Sequence, residues 1–491
     1  MAFDKLVDSV KLDGAITATA NAIREKTETT EKIAWNPETG FSDAIEAIEV
    51  GGSGGSSSVS KKDVNFYDYD GTLLHSYTVA EAQALTELPE LPEREGLICQ
   101  GWNYDLETIK EHNRAVNVGA TYTTDDGTTR IYIHLEDGRT SPMLGVCPNG
   151  TVTVDWGDGT TPDTLTGASI TSVKWTPNHE YAEPGDYVIK LTVDGTMGLS
   201  GSSATNDYSY ILRHNSSADG RNAVYQTSVK KVEFGDSVTS IGMNAFDNCH
   251  SLASVVIPDS VTSIDSKVFQ NCYSLASVVI PDSVTSIGMN AFYYCNALAS
   301  VVIPDSVTSI GNYAFDSCSP LASVVIPDSV TSIGNYAFQN CNALASVVIS
   351  DIVTSISLSA FYKCYSLASV VIPDSVTSIS MNAFCNCYSL ASVVIPDSVT
   401  SISVNAFQNC YSLASVVIPD SVTSIGSKVF QNCGSVKYYD FTKHTAVPTL
   451  SNINAFDGIA ADCEIRVPAA LYDEWIAATN WATYASQIVA V

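Results

Sequence analysis

From Ser237 to Lys443 the apolar positions return with a period of 23 residues, written nine times in succession. In the form SVTSIGMNAFDNCHSLASVVIPD, each copy is marked by a phenylalanine: Phe246, Phe269, Phe292, Phe315, Phe338, Phe361, Phe384, Phe407 and Phe430. A fixed period in the twenties predicts a solenoid. One unit offers Val238, Ile241, Phe246, Leu252, Val255 and Ile257 as its large apolar side chains, too few to offset the entropy of ordering the coil alone. Coils must therefore stack. Alternation predicts a short strand with Leu252, Val255 and Ile257 inward and Ser254, Val256 and Pro258 outward. Ala245, Phe246 and Cys249, at i, i+1 and i+4, predict the inward side of a short helical turn, with positions 243, 244, 247, 248 and 250 facing solvent.

The pattern I-G-x-x-A-F-x-x-C-x-x-L-x-x-V-x-I-P resembles the BspA-like leucine-rich repeats, which occur in surface adhesins and in phage or prophage tail proteins. The resemblance implies a repeat solenoid and no enzymatic chemistry. Lys231 and Glu233 open the array and Asp440 closes it at outward strand positions, so charged terminal coils are expected to block edge-to-edge growth. Beyond Lys443 the period is lost. Leu471, Trp475, Ile476 and Trp481 there predict a strand and an amphipathic helix covering the last coil.

Upstream, Leu6, Val10, Ile16 and Ile23 stand near helical spacing, and Trp35, Phe41, Ile45 and Ile48 suggest a second, shorter helix. The wording DGAITATANAIREKTETTEKIAWNPETGFSDAI resembles N-terminal segments of phage tail-associated proteins, which implies attachment to a tail or baseplate. GGSGGSSS at 51–58 reads as a flexible tether. Between Thr121 and Val193 the runs RIYIHL, TVTVDW and YVIKLTV predict strands. VTVDWGDGTT with HEYAEPGDYVIKLTV resembles the PKD-type immunoglobulin-like domain, whose framework positions fall on Trp156, Asp158, Gly159, His179, Tyr181, Gly185 and Tyr187. Asp155, Asp158 and Asp163 could ligate calcium, but the turn role of Asp is preferred.

These readings give a multidomain, mainly β chain. Its expected parts are a helical attachment module at 1–50, a linker at 51–58, a β-hairpin and connector at 59–118, and a PKD-like β-sandwich at 119–225. The leucine-rich repeat solenoid at 226–443 and a C-terminal cap at 444–491 follow.

Composition narrows the function. The net charge of -29 argues against nucleic acid or an anionic lipid surface as partner. No run of 18 apolar residues is present, so membrane insertion is not expected. The first residues lack the apolar core of a secretory signal, which suggests a protein made and held in the cytoplasm until lysis or assembly. The repeat cysteines, Cys249 to Cys433 at every period, read as small buried hydrophobes rather than disulfides, and Cys385-x-Cys387 lacks a histidine at zinc-ligand spacing. No metal or cofactor is expected.

One motif invites a catalytic reading. Asp68, Asp70, Gly71 and Thr72 spell D-x-D-G-T-L, which resembles the first motif of haloacid-dehalogenase phosphatases; the downstream lysine and the alternating strands and helices of that family do not follow. A hairpin turning at Asp70 and Gly71 explains the same letters, and no catalytic residue is assigned.

Across the first eight copies the SVTSI and LASVVIPD segments depart only at Ser350 and Ile352, while differences crowd into the outward turn positions. Residues there are chiefly Tyr, Asn, Ser, Asp and Gln, a composition suited to recognition. Candidate ligand-binding residues are Tyr273, Tyr293, Tyr294, Tyr313, Tyr336, Tyr362, Tyr365, Tyr388 and Tyr411. The competing surface is the Ser254 and Val256 strand face, apolar enough for self-association. The expected function is non-enzymatic recognition of a host cell-surface glycan or protein by a phage or prophage tail protein residing in the virion tail. The alternative is a BspA-like adhesin on a bacterial surface. Oligomeric state is left open, a homotrimer being the form tail fibres often take.

Overall fold

The computed structural model describes residues 63–69, 71–111, 116–199, 210–213 and 225–491. The helical module at 1–50 and the linker at 51–58 lie outside the described residues, as does Asp70. The described chain belongs to one compact unit, 62–491. It is mainly β, built around a solenoid of about 11 turns with a 23-residue period.

A small sheet comes first. Strands β1 (Asp63–Tyr67) and β2 (Leu73–Thr78) form the expected hairpin, followed by helix α1 (Val79–Gln83), capped by a Thr78–Glu81 capping box. Then come β3 (Leu97–Trp102), α2 (Leu106–Glu111) and β4 (Val116–Thr124), giving the strand order β2-β1-β4-β3. The boundary expected at 118/119 falls inside β4. That strand pairs with both β1 and β3, so it cannot be divided between two domains.

Strands β5 (Thr129–Leu135), β6 (Met143–Asp155), β7 (Asp163–Ala168), β8 (Lys174–Trp175), β9 (Gly185–Leu199) and β10 (Leu212–Arg213) make the second β region. It was expected to stand apart from the solenoid. Instead β5 pairs antiparallel with β11 (Val229–Glu233), and β9 pairs in parallel with β12 (Val238–Ile241), the two strands that open the repeat array. β11 in turn pairs with β13 (Ser254–Val256). One continuous apolar core runs from Ile131 through the solenoid to Ile488. The reason is the edge problem: the first coil would otherwise expose two rows of unpaired backbone groups. This revises the role expected for Lys231 and Glu233. β11 is flanked on both sides, and Glu233 is buried, accepting a hydrogen bond from the Tyr132 hydroxyl at 2.9 Å. Asp440 is likewise interior, since Tyr438–Asp440 pairs with Ser415–Val417 and Glu464–Val467.

Each coil contributes two short parallel strands in strict 23-residue register, such as Ser323↔Ser346 and Ser332 against Ser309. Inside, the phenylalanines form an unbroken file with ring centroids 5.2 to 5.7 Å apart from Phe246 to Phe430. Phe456 continues it at 5.5 Å, so the stacking runs past the expected boundary at 443/444. Helix α3 (Tyr472–Ala477) and the turns after it close the end with Trp475 and Trp481 buried over Phe441, as the apolar pattern of the tail predicts.

The outward strand column behaves unlike its sequence. Val256, Val279 and Val302 are 2%, 6% and 2% exposed, whereas Val371, Val394 and Val417 are 61%, 66% and 38% exposed. The sheet β1–β4 covers the first three. Ala120 and Tyr122 pack on Val256, the Ser277 hydroxyl donates to Tyr69 O, and the Tyr104 hydroxyl donates to Asp305. The open strand face is thus restricted to the later coils.

A candidate binding face on the solenoid turns

The half-coil expected to be a helical turn takes another form. In the first coil Ala245 N–H donates to Gly242 O and Cys249 N–H to Phe246 O, two tight i to i+3 turns in succession. The N–H groups of Asn244, Phe246 and Asn248 point instead to Ser266, Val268 and Gln270 of the next coil. A helix cannot form, because the donors it needs are spent between coils. Residues 244 and 248 and their equivalents all have φ between 53° and 65°. Asn fills most of these left-handed positions, and its side chain tolerates that backbone better than other residues with a Cβ. Its abundance therefore has a backbone cause, a signal readable in the sequence as Asn recurring at fixed offsets around Phe.

The departures from Asn carry more information. Tyr294, Tyr313 and Tyr336 hold the left-handed conformation, as do Lys267, Lys363 and Lys428. A bulky residue there costs about 1 kcal/mol or more. The cost is incurred where an aromatic or cationic side chain is placed on the surface.

All nine candidate tyrosines lie on this face. Tyr273, Tyr294, Tyr388 and Tyr411 are exposed, and Tyr293, Tyr313, Tyr336, Tyr362 and Tyr365 are half-buried against one another or their neighbours. They assemble into groups. His250 stacks on Tyr273 at 4.5 Å; Tyr293 meets Tyr294 at 4.4 Å and Tyr313 at 6.3 Å; Tyr313 stacks on Tyr336 at 4.6 Å. Farther along, Tyr365, Tyr388 and Tyr411 follow at 4.7 and 5.1 Å, and Lys363 sits over the Tyr362 ring. Each of the first eight coils therefore carries at least one ring on the turn face, shifting sideways where the 250-equivalent positions are Asn296, Ser319 and Asn342.

Beneath the rings run side-chain ladders. Asn409 donates to Asn386 and Asn432 to Asn409 at 2.6 and 2.8 Å, and Asn405 donates to Asn382 at 2.9 Å. Buried Asp247 has its carboxyl pushed up to about 6 by loss of solvent, with Lys267 opposing the shift. The repeat thiols are buried, and from Cys272 to Cys433 each donates to the carbonyl of the previous coil's Phe, as Cys272 does to Phe246 at 3.2 Å. Burial raises their pKa, and all cysteines are free.

A family model described as the BspA type leucine rich repeat region matches residues 220–345 and 333–457. The solenoid is a BspA-type leucine-rich repeat array. Among solved structures, the chain is similar to a leucine-rich repeat protein from Bacteroides ovatus at 27% identity, covering 49% of this chain and 66% of that one with a TM-score of 0.44. A leucine rich cell surface protein from Faecalibacterium prausnitzii is similar at 31% identity over 49% of this chain and 78% of that one, with a TM-score of 0.35. The T. pallidum leucine rich repeat protein matches at 28% identity over 42% and 83%, with a TM-score of 0.27. No curated protein matches the chain.

Within the BspA-type array, the hydroxyl columns that scarcely vary have a structural role. Ser260, Ser306, Ser329, Ser375, Ser398 and Ser421 each donate to a valine carbonyl one coil back, and Thr308 and Thr400 donate to the preceding coil's threonine carbonyl. Uniformity there follows from bonding between coils.

Outside the repeats, the D-x-D motif is a hairpin with one unexpected feature. Asp68 is fully buried and paired with Arg94, whose Nε donates at 2.9 Å, so it is more than a turn residue. In the second β region Trp156 stacks on His179 at 4.5 Å, Tyr181 donates to Trp156 O at 2.9 Å, and Tyr187 donates to Glu183 O. Asp155 accepts from Gly157 N–H, Asp158 from Thr160 N–H, and Asp163 from Trp156 Nε1. Those three carboxylates hold turns and the tryptophan. Among the described residues no His, Cys, Asp and Glu cluster fits a metal, and no helix is long and apolar enough to cross a membrane.

Proposed function

We propose that this chain is a non-enzymatic adhesion protein that holds a cell-surface glycan or protein on the turn face of its BspA-type array. The observation that carries the reading is the file of one or more rings per coil over eight coils, three of them tyrosines kept in a left-handed backbone where Asn is the easier choice. Family membership of the array favours a bacterial surface adhesin. The PKD-like region, with Trp156, His179 and Tyr181 as framework, serves as the rigid base from which the array projects. No cofactor or metal, nucleic acid or membrane insertion enters this reading.

Replacing Tyr273, Tyr294, Tyr388 and Tyr411 with Ser tests it. Attachment to host cells should fall while the melting transition stays; unchanged attachment would reject the turn face.

A second reading rests on residues 1–50, whose wording resembles phage tail-associated segments. Here the same array is carried on a virion tail, with a homotrimer as one form. Co-purification of the full chain with tail or baseplate proteins distinguishes the two.

A further inference from the structure

We propose that the occupant of the turn face is a neutral, extended, β-linked glycan lying along the solenoid axis and touching many coils at once. The inference rests on the adhesion reading and names its ligand class.

The argument starts from ring orientation. Tyr313 and Tyr336 are parallel within 5°, and Tyr365 and Tyr388 within 17°. Inside such stacks the ring faces cover one another, so what reaches solvent is a row of ring edges and phenol hydroxyls, each able to donate and accept. Uncovered faces remain at the ends of stacks. Tyr411 is one, because the next position in its column is Gly434. The backbone under this face repeats by translation at the strand spacing of about 4.8 Å, and the rings follow it in columns, Tyr313 with Tyr336 and Tyr365 through Tyr388 to Tyr411. A globular protein partner has no such translational repeat. A β-linked polysaccharide does, advancing by a comparable distance per sugar with hydroxyls along both edges and apolar ring faces for an end such as Tyr411. Seven steps between the first and eighth coils span roughly 34 Å. Neutrality follows from charge, since a chain at -29 repels a polyanion at long range.

The test uses the full chain in two arms. In the first, host cells are treated with periodate, which cleaves vicinal diols of sugars, and attachment is compared with untreated cells. In the second, binding is measured to immobilised β-1,4-linked glucose, mannose and xylose oligomers of graded length, from dimer to octamer, each of which keeps the C2–C3 diol that periodate cleaves. Expected are loss of attachment after periodate and, in at least one series, affinity rising at least tenfold from dimer to longest member. Tyr411→Ser should lower binding of the longest member toward that of shorter ones. Attachment that survives periodate but is lost after protease treatment of the cells would point to a protein receptor and overturn the glycan while leaving adhesion standing. Failure of all three series to bind, or of every binding series to gain affinity beyond the trimer, would overturn the extended neutral ligand. No attachment by the wild type to untreated cells would remove the adhesion reading and this inference with it.

Discussion

Gly119 of β4 lies against Val279 of the second coil, so closely that a Cβ on the glycine would meet Val279 Cγ1 at 2.5 Å. The contact explains why one valine column is covered at one end of the array and open at the other. Gly119→Ala should therefore destabilise the chain by about 1–3 kcal/mol through overpacking. Val394→Thr, at the open end of the same column, should change stability by no more than about 0.5 kcal/mol. Denaturant melts of both variants decide this, and equal effects would refute the cover.

A second expectation concerns Asp68. Removing its charge weakens its pairing with Arg94 at a buried site. Asp68→Asn should cost roughly 1–3 kcal/mol, and neither protein should hydrolyse a phosphate ester with magnesium. Turnover by the wild type that the variant lacks would restore the phosphatase reading.

Lys428 offers a stabilising change. It occupies a left-handed position at φ 57°, and one coil earlier Asn405 donates to Asn382 but leaves its own buried Oδ1 without a partner. Lys428→Asn should relax the backbone and supply an amide donor to Asn405, a gain of about 0.5–2 kcal/mol. A fall in melting temperature would contradict the ladder logic.

Buried Asp247 makes stability depend on pH. Its folded pKa, about 6, lies above the ordinary value of 3.8, so the native state binds the proton more tightly than the unfolded chain. This contribution is fully present below about pH 4 and is lost as pH rises through about 6. Asp247→Asn should remove it, flattening the stability profile between those limits by roughly 2–3 kcal/mol. An unaltered profile in the variant would place the titration elsewhere.

Thiol chemistry checks the core. Cys99 is exposed and the other cysteines are buried. One thiol per chain should react promptly with a thiol reagent under native conditions, and the rest only in denaturant. Rapid modification of the repeat cysteines would turn the ladder outward.

The period alone determined the solenoid, its inward Phe, Leu and Cys files and the surface location of the nine tyrosines, because every coil must bury the same few side chains against an identical neighbour. The hairpin at Asp68 and the tryptophans of the cap were legible for a similar reason: each depends on local turn chemistry or on an apolar pattern meeting a known open end. Tertiary structure decided the rest. Identical Ser-Val-Val strands became covered at Val279 and open at Val394 because β4 folds back over only the first coils, a contact between residues more than 150 positions apart. Lys231 and Glu233 read as the guard of an edge, yet β5 supplies a partner strand that no local pattern announces. The turn containing Phe246 read as helical because a single coil, taken alone, has its N–H groups to itself; stacked, Asn244, Phe246 and Asn248 give theirs to the next coil, and that exchange fixes both the left-handed asparagines and the face on which the tyrosines stand.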